Sequence, residues 1–271
     1  METTKLADLQ ISRFILGSNP FSGFSHQSPE TDRCMLDYYT CEQIKRTFRR
    51  AEELGVRTLI ARADNHMIRV LREYWNEGGS LRWLAQTCPE VGSQEQCIAR
   101  AAHAGASAIY LHGGHMDFLL AQDRADAEVP PLIDRIHEAD LPAGIAGHNP
   151  DVFRWAVRNE LPVDFYMCCH YNPNNRSENP EHDSEAREAY RDEDRDKMLA
   201  VIRDLPRPVI HYKILAAGRN DPAEAFHHTA RHMRPHDAVC VGIYDEDNPD
   251  MLEEDVRLFE EALEIRTKNE D

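Results

Sequence analysis

The sequence predicts a (β/α)8 barrel. Eight short apolar or β-branched runs are spread over the 271 residues, each followed by a segment with helical periodicity, and capping residues punctuate the alternation. A chain of this length matches one such barrel, which runs to ~250 residues, and it is expected to span 1–271 as a single domain. A doubly wound sheet is the competing arrangement, but no G-x-G-x-x-G follows the first strand.

The elements follow in order. Strand Ile11–Leu16 precedes helix Glu42–Leu54, whose Ile44, Phe48, Ala51 and Leu54 share one stripe. Strand Val56–Ala61 leads to helix His66–Tyr74, and Leu81–Gln86 to Gln94–Ala104. Ala106–Leu111 pairs with Val129–Ala139, and Ala143–Gly147 with Asp151–Arg158. Val163–Cys168, Pro208–Tyr212 and Ala238–Ile243 precede helices Glu185–Arg203, Ala223–His232 and Pro249–Ile265. The strands are apolar throughout rather than alternating, as strands covered on both faces must be. Ser93 with Gln96 forms a capping-box pattern, and Asp221-Pro222 supplies an N-cap and a first-turn proline. Leu54-Gly55, Ala104-Gly105 and Asp140-Leu141-Pro142 are stop signals. The charged stretch Asn174–Lys197 is expected to begin as a long loop, solvated or folded over the barrel mouth.

Composition narrows the partners. Acidic residues outnumber basic ones by 48 to 31, for a net charge of −17, and there are only five lysines. Nucleic acid and anionic membrane both need basic patches; neither is an expected partner. No apolar run approaches the ~18 residues of a membrane span, and no secretory h-region follows Met1. The seven cysteines show no C-x-x-C spacing and read as free thiols, with Cys168-Cys169 in a buried strand. The expectation is a cytoplasmic protein acting on a small molecule, with a homo-oligomer left open.

In this fold chemistry sits at the carboxyl ends of the strands. Those positions hold Ser18-Asn19, Asp64-Asn65-His66, His112, His148-Asn149, His170-Tyr171-Asn172, Lys213 and Asp245-Glu246-Asp247. His112, His148 and His170 come from successive strands, and His66 or Asp64 can reach from across the barrel. That set predicts a divalent metal site for Zn, Mn or Fe. Lys213 could form a Schiff base, act as a base, or hold an anion. Arg62, Arg176 and Arg219 could hold a carboxylate or phosphate. His227, His228 and His232 are expected on an outer helix surface, and His103 and His137 beside helix C-termini.

Several strings resemble the aldo-keto reductase superfamily. Ile11-Ser12-Arg13-Phe14-Ile15-Leu16-Gly17 resembles its opening strand, and Ala108-Ile109-Tyr110-Leu111-His112 the strand ending in its catalytic histidine. Asp64 resembles its catalytic aspartate, and His148-Asn149-Pro150 stands where the family has Ser-Asn. Tyr171-Asn172, Pro208–Tyr212 with Leu215–Gly218, and Val241-Gly242 resemble the later strand ends. The resemblance implies the barrel and the place of the site. The family's lysine is missing, since the third strand ends Gln86-Thr87-Cys88, and no tyrosine follows Asp64 where the family has one. After the last strand Tyr244-Asp245-Glu246-Asp247 would repel the 2′-phosphate of NADP.

The function expected from these residues is a metal-dependent lyase, isomerase, epimerase or hydrolase working on a small sugar-like or hydroxy-carbonyl substrate. His66, His112, His148 and His170 would bind the metal. Asp64, Lys213 and His112 would carry the chemistry, and Asn19, Tyr171 and Asn172 would bind substrate. The alternatives are an NAD(P)-dependent oxidoreductase with His112 as acid, and a barrel without activity.

Overall fold

The computed structural model describes residues 1–174, 176 and 188–270. Eight parallel strands close into a barrel: β3 (Phe14–Gly17), β4 (Thr58–Arg62), β5 (Arg82–Gln86), β6 (Ala108–Leu111), β7 (Ala143–Gly147), β8 (Phe165–Cys169), β9 (Val209–Tyr212) and β10 (Ala238–Gly242). Closure pairs β10 with β3, Val239 opposite Phe14 and Gly242 opposite Gly17. The expected TIM barrel is therefore present.

Parity organises everything that follows. Along each strand successive side chains alternate between the barrel interior and the helices outside. Ile15, Ile60, Leu84, Ala108, Tyr110, Phe165, Met167 and Ile210 form the inner cluster. Phe14, Leu16, Leu59, Trp83, Ile109, Ile145, Tyr166 and Val209 pack against the helices. Both faces are buried, which is why the strands read as unbroken apolar runs.

The predicted first strand is two elements. Ile11 and Ser12 belong to an antiparallel hairpin, β1 (Thr3–Leu6) with β2 (Leu9–Ser12), and the barrel strand starts only at Phe14. Leu6 and Ile11 are fully buried against the inner cluster, so the hairpin plugs the amino-terminal end of the barrel.

The helices are α1 (Pro29–Tyr38), α2 (Cys41–Glu53), α3 (Asn65–Asn76), α4 (Gln94–Ala104), α5 (Gly113–Ala121), α6 (Ala125–His137), α7 (Pro150–Arg158), α8 (Asp192–Ile202), α9 (Pro222–His232) and α10 (Met251–Glu270). The capping box of Ser93 with Gln96 and the N-cap of Asp221 form as expected. Helices α1 and α5 were not expected. The first buries only Met35 and is started by Ser28. The second opens on two glycines, poor helix formers that hid its start. Helix α8 begins at Asp192; the first residues of the predicted Glu185–Arg203 helix, and most of the loop expected over the mouth, lie outside the described residues. All seven cysteines are free, and burial pushes the Cys169 thiol up to about 12. Among the described residues no helix is long and apolar enough to cross a membrane.

Candidate active site

A cavity of about 480 Å³ opens at the carboxyl ends of the strands. Its inner wall is set by parity: Arg62 ends β4, Gln86 ends β5, Tyr110 lies on β6 and Tyr212 ends β9, all on the inward register. His112 and His148, one residue past β6 and β7, continue that register and line the cavity too.

A three-group relay runs to its surface. Asp117 on α5 is buried, and its carboxylate accepts hydrogen bonds from the backbone N–H of His148 (3.1 Å) and of Asn149 (3.0 Å). Asp117 Oδ2 also lies 2.7 Å from His148 Nδ1. That contact assigns the imidazole proton to Nδ1 and turns Nε2 into an acceptor. Tyr212 Oη, 3.3 Å away, then donates to Nε2. Burial holds His148 below its usual range, against the pull of Asp117, and holds the Tyr212 phenol well above its own. The resting relay is thus carboxylate, neutral imidazole, neutral phenol. Gly113 makes room for it: a Cβ there would stand 3.0 Å from Tyr212 Oη and 3.2 Å from His148 Cε1.

His112 stands beside the relay. It is the N-cap of α5, and its Nδ1 accepts from the His115 backbone N–H at 3.4 Å, leaving the proton on Nε2. Burial, reinforced by His148, Arg176 and Arg62, keeps its pKa well below the usual range. The result is a neutral donor at the cavity wall.

Cations flank these donors. Arg62 donates from Nε to Asp64 at 3.1 Å, pairs with Glu90, and lies over the Phe24 ring. Lys213 adopts φ +56°, a left-handed conformation that few non-glycine residues hold. Its Nζ lies 3.4 Å from His26 Nδ1 and 3.9 Å from Glu188. Burial lowers the Lys213 pKa, opposed by Cys169 and Glu188. Despite burial, His26 and Lys213 hold Glu188 well below the carboxylate range. Arg176, also buried, completes the cationic side of the cavity.

The predicted ligand set does not come together. His170 follows β8 on the outward register; it is fully buried behind the barrel wall, 3.0 Å from His211 Nδ1, and His211 in turn meets Asp237 at 3.4 Å. His66 is exposed on α3, and both ring nitrogens of His148 are engaged. Among the described residues no group of three His, Cys, Asp or Glu side chains is disposed to hold a metal ion. Only His112 and His148 of the four face the cavity, so the residues present do not fit the expected metal.

The other expected site residues divide. Lys213 and Asn19 line the cavity, Asn19 within 3.3 Å of His26 Nε2. Asp64 does not line it; its carboxylate caps α3 through the Met67 N–H at 2.9 Å and steadies Arg62. Tyr171 is buried, its hydroxyl accepting from Asn220, and Asn172 points to solvent. Asp117 and Tyr212 were missed as site residues. The signal for Tyr212 was available, since it sits two residues after inward-facing Ile210; Asp117 needed the unexpected helix α5.

No family model and no curated protein matches the chain. Solved structures do. An aldo-keto reductase from Bacillus halodurans superposes with a TM-score of 0.60 at 10% identity, over 98% of this chain and 95% of the other. A 3-deoxy-D-arabino-heptulosonate 7-phosphate synthase from Thermotoga maritima gives 0.55 at 16%, over 98% and 91%. An N-acetylmannosamine-6-phosphate 2-epimerase from Clostridium perfringens gives 0.52 at 13%, over 89% and 92%. The likeness is one of fold. Barrels so similar in outline carry unrelated reactions, and the chemistry has to be argued from the side chains at the mouth.

Proposed function

We propose that the chain is a proton-transfer enzyme, an isomerase, epimerase or lyase of a small anionic hydroxy-carbonyl compound. The observation that carries this reading is the Asp117–His148–Tyr212 relay ending on the cavity wall. Tyr212 takes the proton of a substrate hydroxyl as its own proton passes to His148 Nε2. Asp117 then holds the resulting imidazolium, the role a carboxylate plays behind a histidine base. His112 Nε2–H hydrogen-bonds the carbonyl oxygen and stabilises the negative charge that develops there. Lys213, whose pKa burial lowers toward that of a working base, takes in its unprotonated form the proton from the carbon next to the carbonyl. Returning the two protons to other positions completes an isomerisation or epimerisation. In a lyase reaction Tyr212 takes the β-hydroxyl proton, the bond between the α and β carbons breaks in place of the carbon–hydrogen bond with its electrons passing to the carbonyl, and the enolate carbon formed is then protonated. Arg62 and Arg176 supply the charge for a carboxylate or phosphate on the substrate.

The test is carbon-bound hydrogen exchange. A panel of ketoses, aldoses, their phosphates and hydroxy-keto acids is incubated with the protein in D2O and followed by proton NMR. Exchange at the carbon next to the carbonyl, lost in Tyr212→Phe, supports the reading; exchange that survives that substitution refutes it.

A second reading has its own observation. The cavity is also lined by residues of the segment 213–222 after β9 and of the start of α10, which gives it walls beyond the relay for the rest of a nicotinamide dinucleotide. Under this reading Tyr212 and His112 protonate a carbonyl that receives hydride. Saturable quenching of protein fluorescence by NADH, with no D2O exchange on the panel, would favour it.

A further inference from the structure

The cavity is electrically lopsided. Arg62, Arg176 and Lys213 stand at its inner end, whereas the outer arm along α10 is lined by Tyr244, Asn248, Met251, Glu254, Asp255 and Leu258, with no basic residue. Glu254 is engaged by Asn248 Nδ2 at 2.8 Å. Asp255 is different: it is only 4% exposed, it lines the arm, and among the described residues its carboxyl has no hydrogen bond or ion pair. The other two buried aspartates show what such a group normally requires. Asp117 accepts from His148 and Asn149, and Asp237 from Arg234, His211 and the Val209 N–H. A buried acid without a partner is costly, and one that lines a cavity is open to a cation that enters it.

We propose that the outer arm binds a cationic amino group, with the Asp255 carboxylate as its counter-ion and the Tyr244 ring beside it. The substrate is then a small zwitterion, with its anionic hydroxy-carbonyl end among Arg62, Arg176 and Lys213 and its ammonium end at Asp255. The assignment rests on the proton-transfer reading for the inner end only; the outer arm is argued from its own residues. Burial, with the charge of Glu254 adding to it, raises the Asp255 pKa to about 7, as expected of a carboxyl that lacks a cation. An ammonium in the arm supplies that cation, and an aromatic wall adds cation–π attraction. A hydroxyl there would leave the carboxylate charge uncompensated.

Calorimetric titration tests this with defined probes at about pH 8: 4-aminobutanoate, 5-aminopentanoate and 6-aminohexanoate, each against the hydroxy acid of equal length. At least one amino acid is expected to bind roughly tenfold tighter than its hydroxy partner, and Asp255→Asn should erase that preference. A second measurement needs no variant: the Asp255 carboxyl, followed by carbon-13 NMR, should titrate at lower pH when the tightest amino acid is saturating. Equal binding of the pairs, binding by none of the amino acids, a preference that survives Asp255→Asn, or an unmoved Asp255 titration would each overturn the proposal. So would NADH blocking Asp255 titration where the amines do not. The two readings fail separately. Tyr212-dependent exchange without amine preference removes only the zwitterion, and amine preference with Tyr212-independent exchange removes only the relay mechanism.

Discussion

Asp255→Asn should make the protein more stable, by an amount that grows as pH rises from about 4 to about 7 and is full above that. The carboxyl sits at about 7 in the folded chain, against 3.8 for an unperturbed aspartate. An acid whose folded pKa is raised binds more protons folded than unfolded between those values. Stability therefore declines as pH climbs from about 4 to about 7, and the full penalty is present above that window. A gap of about three pKa units at 1.36 kcal/mol each is on the order of 4 kcal/mol. Asparagine has nearly the shape of the protonated acid and carries no charge. Near pH 4 the two proteins should melt within about 2 °C of one another, and near pH 8 the variant should melt about 10 °C higher. Scanning calorimetry at the two pH values decides it. A difference in melting temperature that is the same at both, or a variant less stable near pH 8, would refute the claim that this carboxyl is buried without a partner.

Three further outcomes follow from the geometry. Gly113→Ala places a methyl group 3.0 Å from Tyr212 Oη; exchange rates should fall on the order of a hundredfold, with a melting loss of no more than about 1 kcal/mol, checked by NMR kinetics and calorimetry. Asp237→Asn should cost stability in full above about pH 4, and less and less as pH falls below that. Its carboxyl, in spite of burial, is held far below the usual range by His211 and Arg234, so its contribution disappears as pH falls through that range; thermal melts across pH 3 to 7 test the sign. His170→Ala should cost about 2–4 kcal/mol as a buried deletion, and like His66→Ala it should leave whatever metal the purified protein carries unchanged by mass spectrometry.

The barrel was legible because its rules are local. Unbroken apolar strands such as Ala143–Gly147, stops such as Ala104-Gly105 and the capping box at Ser93 each act within a few residues, and they recur in register along the chain. The site was legible only in outline. Strand ends marked where His112, His148, Lys213 and Asn19 would lie, yet the same rule placed His170 at the mouth, when counting alternate residues from Met167 puts Cys169 inward and His170 outward. Asp64, marked by its strand-end position, turns out to cap helix α3 and does not line the cavity.

The sequence by itself determined the architecture and the end of the barrel at which the cavity opens, since both follow from periodicity of two and of 3.6 within single elements. Tertiary structure decided the rest. Asp117 reaches His148 across 31 residues, and Tyr212 reaches it across 64, because closing the barrel brings β7, β9 and the unforeseen helix α5 to one edge of the mouth. Asp255 in turn becomes a buried carboxyl only once α10 has packed over the cavity. Contacts between residues so far apart are set by how the elements meet, and no window of sequence contains them.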